Sequence, residues 1–255
     1  MATRTGLLIV LILVLTACST AAPAPVPTDT PRPTATETLI PTETQQPTST
    51  PRPTKTPNLA ATQRMDELNV EAQTYFDLGY LATTDGRFFE EEDFNEEWAQ
   101  LGWYSWWTLN QRARDFFISA HFKWTSAYRN ADISGCGFAF AIQENQDHYA
   151  VFLDRANVLF LDSGAYTKKL GTTRGTGRVD FANPFDEPQE ADFTLIVNGT
   201  SAYVLVDDEL AAQYTLSQSK TLRGNLGLTL LSGTNKNFGT RCEMTDLHYW
   251  LPAGG

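Results

Sequence analysis

From residue 80 onward, apolar positions recur with a period of two. Phe116, Ile118, Ala120, Phe122 and Trp124 alternate with Phe117, Ser119, His121 and Lys123. Cys136, Phe138, Phe140 and Ile142 alternate with Gly137, Ala139 and Ala141. Successive side chains of a strand point to opposite faces, so each run predicts a strand with one face in a core. Similar runs cover residues 149–154, 158–162, 193–198, 202–206, 226–231 and 241–250. Asn198-Gly199 between two of them signals a tight hairpin, and Asp85-Gly86 is a second candidate turn. Many short strands with no helical period between them predict an all-β, antiparallel sandwich or barrel over residues 80–255, read as one domain.

Upstream the period changes. Ala61, Met65, Leu68, Ala72 and Tyr75 are spaced alternately by four and three, one stripe of a helix, and Gly79 follows where a left-handed cap is expected. Residues 58–79 therefore read as a short helical stem. Its stripe is too short for a coiled coil, so a helix packed on its own domain, or a spacer, is favoured over a dimerising one.

Residues 20–57 hold ten of the thirteen prolines, and Thr30-Pro31-Arg32-Pro33-Thr34 recurs as Thr50-Pro51-Arg52-Pro53-Thr54. Proline fixes φ and removes a donor, and the segment has almost no apolar surface to bury, so a disordered, extended Thr/Pro linker is expected. Ahead of it, Arg4 precedes the apolar run Leu7–Leu15, about half of what a bilayer needs, which reads as a signal peptide over residues 1–17. Leu15-Thr16-Ala17-Cys18 resembles the lipobox of bacterial lipoproteins. That resemblance implies acylation of Cys18, a lipidated segment 18–57 and an extracytoplasmic, membrane-anchored domain that meets the membrane through its lipid alone.

Charge narrows the partners. Residues 58–255 carry 15 Lys and Arg against 27 Asp and Glu, a net charge of −12. Such a surface repels phosphate backbones, so no nucleic-acid partner is expected. With Cys18 given to lipid, Cys136 and Cys242 remain in an oxidising compartment; a disulfide between them is expected, two buried thiols being the alternative.

The run Gly135-Cys136-Gly137-Phe138-Ala139-Phe140-Ala141-Ile142, the turn Gln143-Glu144-Asn145 and the strand His148-Tyr149-Ala150-Val151-Phe152 resemble the concanavalin A-like jelly-roll domains of bacterial surface proteins. Phe193–Gly199, Val204–Asp208, Gly224–Leu228 and a closing strand Cys242–Trp250 continue the resemblance, which spans roughly 81–251. It implies an antiparallel jelly-roll β-sandwich and one of three roles: carbohydrate binding, laminin-G-like adhesion, or glycoside hydrolysis as in glucanases. Fold alone does not choose among them. Relatives often carry arginine where this chain has Ala141, which removes one expected polar contact.

Catalytic chemistry finds little support in the motifs. Glu91, Asp93 and Glu96 match the Glu-x-Asp-x-x-Glu spacing of a retaining β-glucanase branch, but their neighbours are Glu90, Glu92, Asn95 and Glu97, a solvated run that reads as a helix start. No catalytic residue is assigned. Ser217-Gln218-Ser219-Lys220 lacks the companion motifs of a Ser-x-x-Lys site, and the glycine-rich 171–177 stretch lacks a phosphate-loop lysine. His121, His148 and His248 stand at no metal-ligand spacing, so no metal and no cofactor is assigned. Calcium stays open at Asp186-Glu187 and Asp207-Asp208-Glu209.

Aromatic residues carry the binding hypothesis. Trp98, Trp103, Trp106 and Trp107 fall within ten residues, with Tyr104 among them. Period two sets Trp103 and Trp107 on one face and Tyr104 and Trp106 on the other, so one set is core and one or two rings are exposed for stacking on sugars. A groove floor is expected from His121 and Lys123 on one strand and Asp154 and Arg155 at the end of another. The sequence reading is a non-catalytic glycan-binding or surface-interaction module for a carbohydrate or cell-envelope component. A glycoside hydrolase of the same fold and a structural or adhesive envelope domain are the alternatives.

Overall fold

The computed structural model describes residues 58–128, 131, 133–181 and 188–254; the signal peptide, Cys18, the Thr/Pro linker and Asp186-Glu187 lie outside them. One helix, α1 (Leu59–Asp77), precedes fourteen strands. These are β1 (Gly86–Glu90), β2 (Phe94–Trp98), β3 (Trp103–Ala113), β4 (Phe116–Ser126), β5 (Gly135–Ile142), β6 (His148–Leu153) and β7 (Val158–Ser163). Then come β8 (Thr167–Lys169), β9 (Arg174–Gly175), β10 (Gln189–Asn198), β11 (Ser201–Val206), β12 (Glu209–Thr215), β13 (Gly224–Ser232) and β14 (Thr240–Pro252). An eight-stranded sheet runs β1-β14-β4-β10-β11-β12-β9, with β2 also pairing β14; a six-stranded sheet runs β3-β13-β5-β6-β7-β8. Every named strand pair is antiparallel. The architecture is the antiparallel jelly-roll sandwich.

The alternating residues fill the space between the sheets. Phe116, Ile118, Phe122 and Trp124 of β4 meet Phe138 and Phe140 of β5, Val151 of β6, Leu195 of β10 and Leu228 of β13 in one buried cluster. Phase is lost at one place. Ala141 has φ +53 and turns into the core, so Ile142 leaves the inner face on which strict alternation placed it. The register between β13 and β5 slips at the same level. Cys136 on β5 and Cys242 on β14 form the expected disulfide, Cα atoms 5.8 Å apart, tying one sheet to the other. A core bridged this way belongs to a protein that folds outside the reducing cytoplasm.

Helix α1 packs on the outer face of the large sheet. Its N-cap Asn58 accepts from the Ala61 amide. At the far end Gly79 adopts φ +75, while the Tyr80 amide donates to Tyr75 O and the Gly79 amide to Phe76 O, a Schellman pair. Only the last three members of the stripe, Leu68, Ala72 and Tyr75, are buried; Ala61 is exposed and Met65 is 46 % exposed. Tyr75 meets Phe117 edge-on at 5.1 Å, and Phe117 stacks on Trp250 at 6.0 Å. The helix is thus packed on its domain along one face of its C-terminal half.

Several local expectations change. Residues 94–98 form strand β2, where acidic composition suggested a helix start, because pairing with β14 overrides weak local propensity. Asp85-Gly86 is no hairpin: Gly86 opens β1 and pairs with Pro252. The Asn198-Gly199 hairpin forms, with Asn198 paired to Ser201 and Gly199 at φ +62. Asp207 and Asp208 have φ +50 and +64 between the pair Val206 and Glu209, so these carboxylates build a two-residue turn. The Asp207 carboxylate accepts from the Asp192 amide.

Candidate aromatic binding site

The outward residues of β5 are Gly135, Gly137 and Ala139, and all three are buried. A Cβ on Gly137 would lie 2.0 Å from Val151 O, so the strands allow nothing larger there. That strip leaves room above the sheet for large rings from the edge strand β3. Tyr104 and Trp106, both outward, reach towards β6. Tyr104 packs edge-on to Phe152 at 5.2 Å, and Trp106 sits over the His148 ring at 4.5 Å. The result is an aromatic layer on the outside of the small sheet, half open to solvent.

At its end, Trp103, Tyr104, Trp106 and His148 line a cleft of about 250 Å³ with Asn145, Gln146, Ser163 and Thr167. Trp103 is 62 % exposed. Rings beside amide and hydroxyl groups suit a ligand with apolar C–H faces and a polar rim. No carboxylate lines this cleft. His148 Nδ1 lies 2.6 Å from Gln146 O, which can only accept, so Nδ1 carries a proton. Burial lowers the His148 pKa below its ordinary value, and the ring is neutral. Its Nε2 then accepts from the Tyr104 hydroxyl at 2.9 Å, fixing both rings. Burial likewise raises the Tyr104 pKa, keeping that donor protonated.

A larger polar groove of about 670 Å³ adjoins this cleft and shares Asn145 and Gly164 with it. Lys220 is its fastener. The ammonium donates to His148 O, Asp162 Oδ1 and Ser163 O at 2.7–2.8 Å and sits 4.3 Å above the Tyr149 ring. The Ser-x-x-Lys segment therefore holds the ends of β6 and β7 together, with its lysine charged and committed.

The residues expected to form one groove are dispersed. Trp103 and Trp106 reach the aromatic cleft, whereas Trp107 turns inward against the core and packs edge-on to Phe94 at 5.1 Å. His121 and Lys123 lie on the outside of the other sheet, paired with Asp192 at 2.8 Å and Glu190 at 2.9 Å. Asp154 and Arg155 are buried in the turn after β6. There the Asp154 carboxylate accepts from the Ala156 and Asn157 amides at 2.9 and 2.7 Å, and Arg155 donates to Ser134. The sequence reading separated strand from strand but not sheet from sheet, so it joined side chains from opposite outer faces. Glu91, Asp93 and Glu96 are exposed near β2, and Glu91 accepts from the Tyr249 hydroxyl.

His148, Asn145, Gln146, Ser163 and Thr167 were missed as site residues. For Asn145, Gln146 and His148 the signal was the Gln143–Asp147 turn placed directly before the aromatic strand β6; Ser163 and Thr167, on β7 and β8, had none. Among the described residues no group of three or more His, Cys, Asp and Glu is arranged to hold a metal ion.

No family model matches the chain, and no curated protein matches it. Solved structures similar to it include a carbohydrate-binding module, CBM66 from Bacillus subtilis, at 12 % identity and TM-score 0.44, covering 63 % of this chain and 92 % of that one. The Bacillus licheniformis beta-glucanase matches at 12 % identity and TM-score 0.38, covering 56 % and 68 %. The Crh5 transglycosylase matches at 10 % identity and TM-score 0.40, covering 64 % and 72 %.

Proposed function

We propose that this chain is a non-catalytic glycan-binding module, lipid-anchored through Cys18 and presented beyond the envelope by its Thr/Pro linker. The aromatic cleft carries the binding reading: Trp103 and Trp106 offer stacking surfaces, with amide and hydroxyl groups at their edges to take sugar hydroxyls. A retaining hydrolase needs two carboxyls ~5–5.5 Å apart beside the sugar. The residues lining this cleft include none. The buried intersheet disulfide supports export, as the anchor requires. Affinity in an open cleft of this size is expected to be micromolar to millimolar, since it buries little area.

The test is calorimetry of the full chain with soluble neutral oligosaccharides, beginning with β-glucans. Trp106→Ala and Trp103→Ala should abolish binding while circular dichroism stays unchanged. Trp107→Ala should lower stability and leave affinity intact. Equal affinity in all four proteins would defeat the proposal. For the anchor, Cys18→Ser should release the protein from membranes or leave it unprocessed; unchanged retention and processing would defeat that part.

A further inference from the structure

Arginines are concentrated at one place on an otherwise acidic domain. Arg87 from β1, Arg112 from β3 and Arg114 just beyond it line a cleft of about 360 Å³ where the edge of the large sheet meets β3. All three are exposed, and among the described residues none of their side chains makes an ion pair or hydrogen bond. The single acid of the lining, Asp115, is occupied: its carboxylate accepts from the Gly199 amide at 2.6 Å. Phe89, Leu251 and Pro252 supply an apolar floor, and Phe89 is itself held by stacking on Tyr249 at 5.1 Å. Three guanidiniums with no ion pair among the described residues surround an apolar floor in a domain of net charge −12, an arrangement suited to an oxyanion attached to a ring or other apolar-faced group.

The cleft is also continuous with the aromatic site. Arg112 lines both the arginine cleft and the polar groove, and the polar groove shares Asn145 and Gly164 with the aromatic cleft. Strand β3 links the ends. Trp106 pairs with Thr229, Thr108 with Gly227 and Arg112 with Asn225, so a slip in register within β3 still leaves Arg112 on the outward face with Trp106. Six residues of strand separate them by roughly 20 Å, the reach of an oligosaccharide rather than a single sugar.

Resting on the glycan-binding reading, we infer that the ligand is an acidic polysaccharide whose uronic-acid carboxylates are taken by Arg87, Arg112 and Arg114 while its other sugars cross the aromatic cleft. Arginine forks grip carboxylates in two places at once, and the groove between the two clefts, lined by Glu144, Asp147 and Asp162 beside Lys168 and Lys220, is crossed by uncharged sugars of the polymer.

The experiment compares oligogalacturonate with the same oligomer fully methyl-esterified, using affinity electrophoresis of the full chain and of R87Q/R112Q/R114Q and Trp106→Ala. The acid form should bind about tenfold more tightly at low salt, a modest gain because exposed ion pairs are screened. The triple variant, folded by circular dichroism, should lose that preference and keep the affinity for the ester. Trp106→Ala should weaken both. Equal binding of acid and ester, or an acid preference that survives the triple substitution, overturns the anion site while Trp106-dependent binding still supports the glycan reading. Arginine-dependent binding of the acid form that ignores Trp106 sinks the joined site and removes the aromatic cleft from the glycan reading, leaving an isolated anion site.

Discussion

The Cys136–Cys242 bridge makes a quantitative claim. It joins β5 of the small sheet to β14 of the large one across a sequence separation of 106 residues. In the chain-entropy account, closing such a loop removes about 16 cal/mol/K from the unfolded state, or about 4.8 kcal/mol at 25 °C. Both cysteines are fully buried in the main core, so replacing them by alanine also forfeits sulfur packing, about 1 kcal/mol more. Cys136→Ala/Cys242→Ala should therefore lose about 5–6 kcal/mol, and melt roughly 10–20 °C lower for a domain of this size. Urea denaturation measures this directly. The m-value should also rise, because the unfolded chain expands once the loop is open. A loss under about 1 kcal/mol with an unchanged m-value would refute the reasoning, as would two titratable thiols in the native protein exported to an oxidising compartment.

Three more outcomes are expected. First, burial opposes charge on His248, but its contact with the Glu71 carboxylate at 2.7 Å and with Asp246 O at 2.8 Å outweighs burial, even with Arg64 3.5 Å away, and raises its pKa above 6.5. This contribution is present below pH 6.5 and is lost as pH rises through the folded value. His148, with its pKa lowered from 6.5, costs stability as pH falls below 6.5, so urea midpoints should peak near pH 6.5. Glu71→Gln should flatten only the alkaline side; an alkaline limb that survives Glu71→Gln contradicts the assignment. Second, Tyr75→Ala empties the contact with Phe117 and should cost about 3 kcal/mol, with hydrogen exchange of the helix amides speeding up. Exchange that stays at the wild-type rate would show the helix docks by other means. Third, Gly137→Ala forces β5 and β6 apart and should cost about 3 kcal/mol while disturbing the Trp106 layer. Wild-type stability and tryptophan fluorescence together would rule this out.

Much of the fold was legible in the chain because side-chain direction in a strand depends only on parity. The inward rows Phe116 to Trp124 and Cys136 to Phe140 could be read directly, as could the Asn198-Gly199 hairpin and the cap at Gly79. The bridge followed from redox compartment and cysteine count. Parity fails where the backbone takes a left-handed residue, as at Ala141, and it is silent about the acidic strand β2, which forms by pairing with β14 and packing Phe94 and Trp98 on the core.

Which outer face a side chain belongs to is a different kind of fact. His121 and Lys123 read as a groove floor and Trp106 as a candidate stacking ring beside it, yet pairing order puts the first two on one sheet and Trp106 on the other. Asp154 and Arg155 read as polar site residues but close a buried turn. The gathering of Arg87, Arg112 and Arg114 depends on β1 and β3 meeting at the sandwich edge, although β1 begins at Gly86 and β3 ends at Ala113. Sequence alone determined the periods, the Gly79 cap and the Asn198-Gly199 turn, because those depend on neighbours along the chain, and with Cys18 set aside it left one cysteine pairing to expect. Strand order and the clefts between distant strands are set by long-range pairing, and only the tertiary structure decided them.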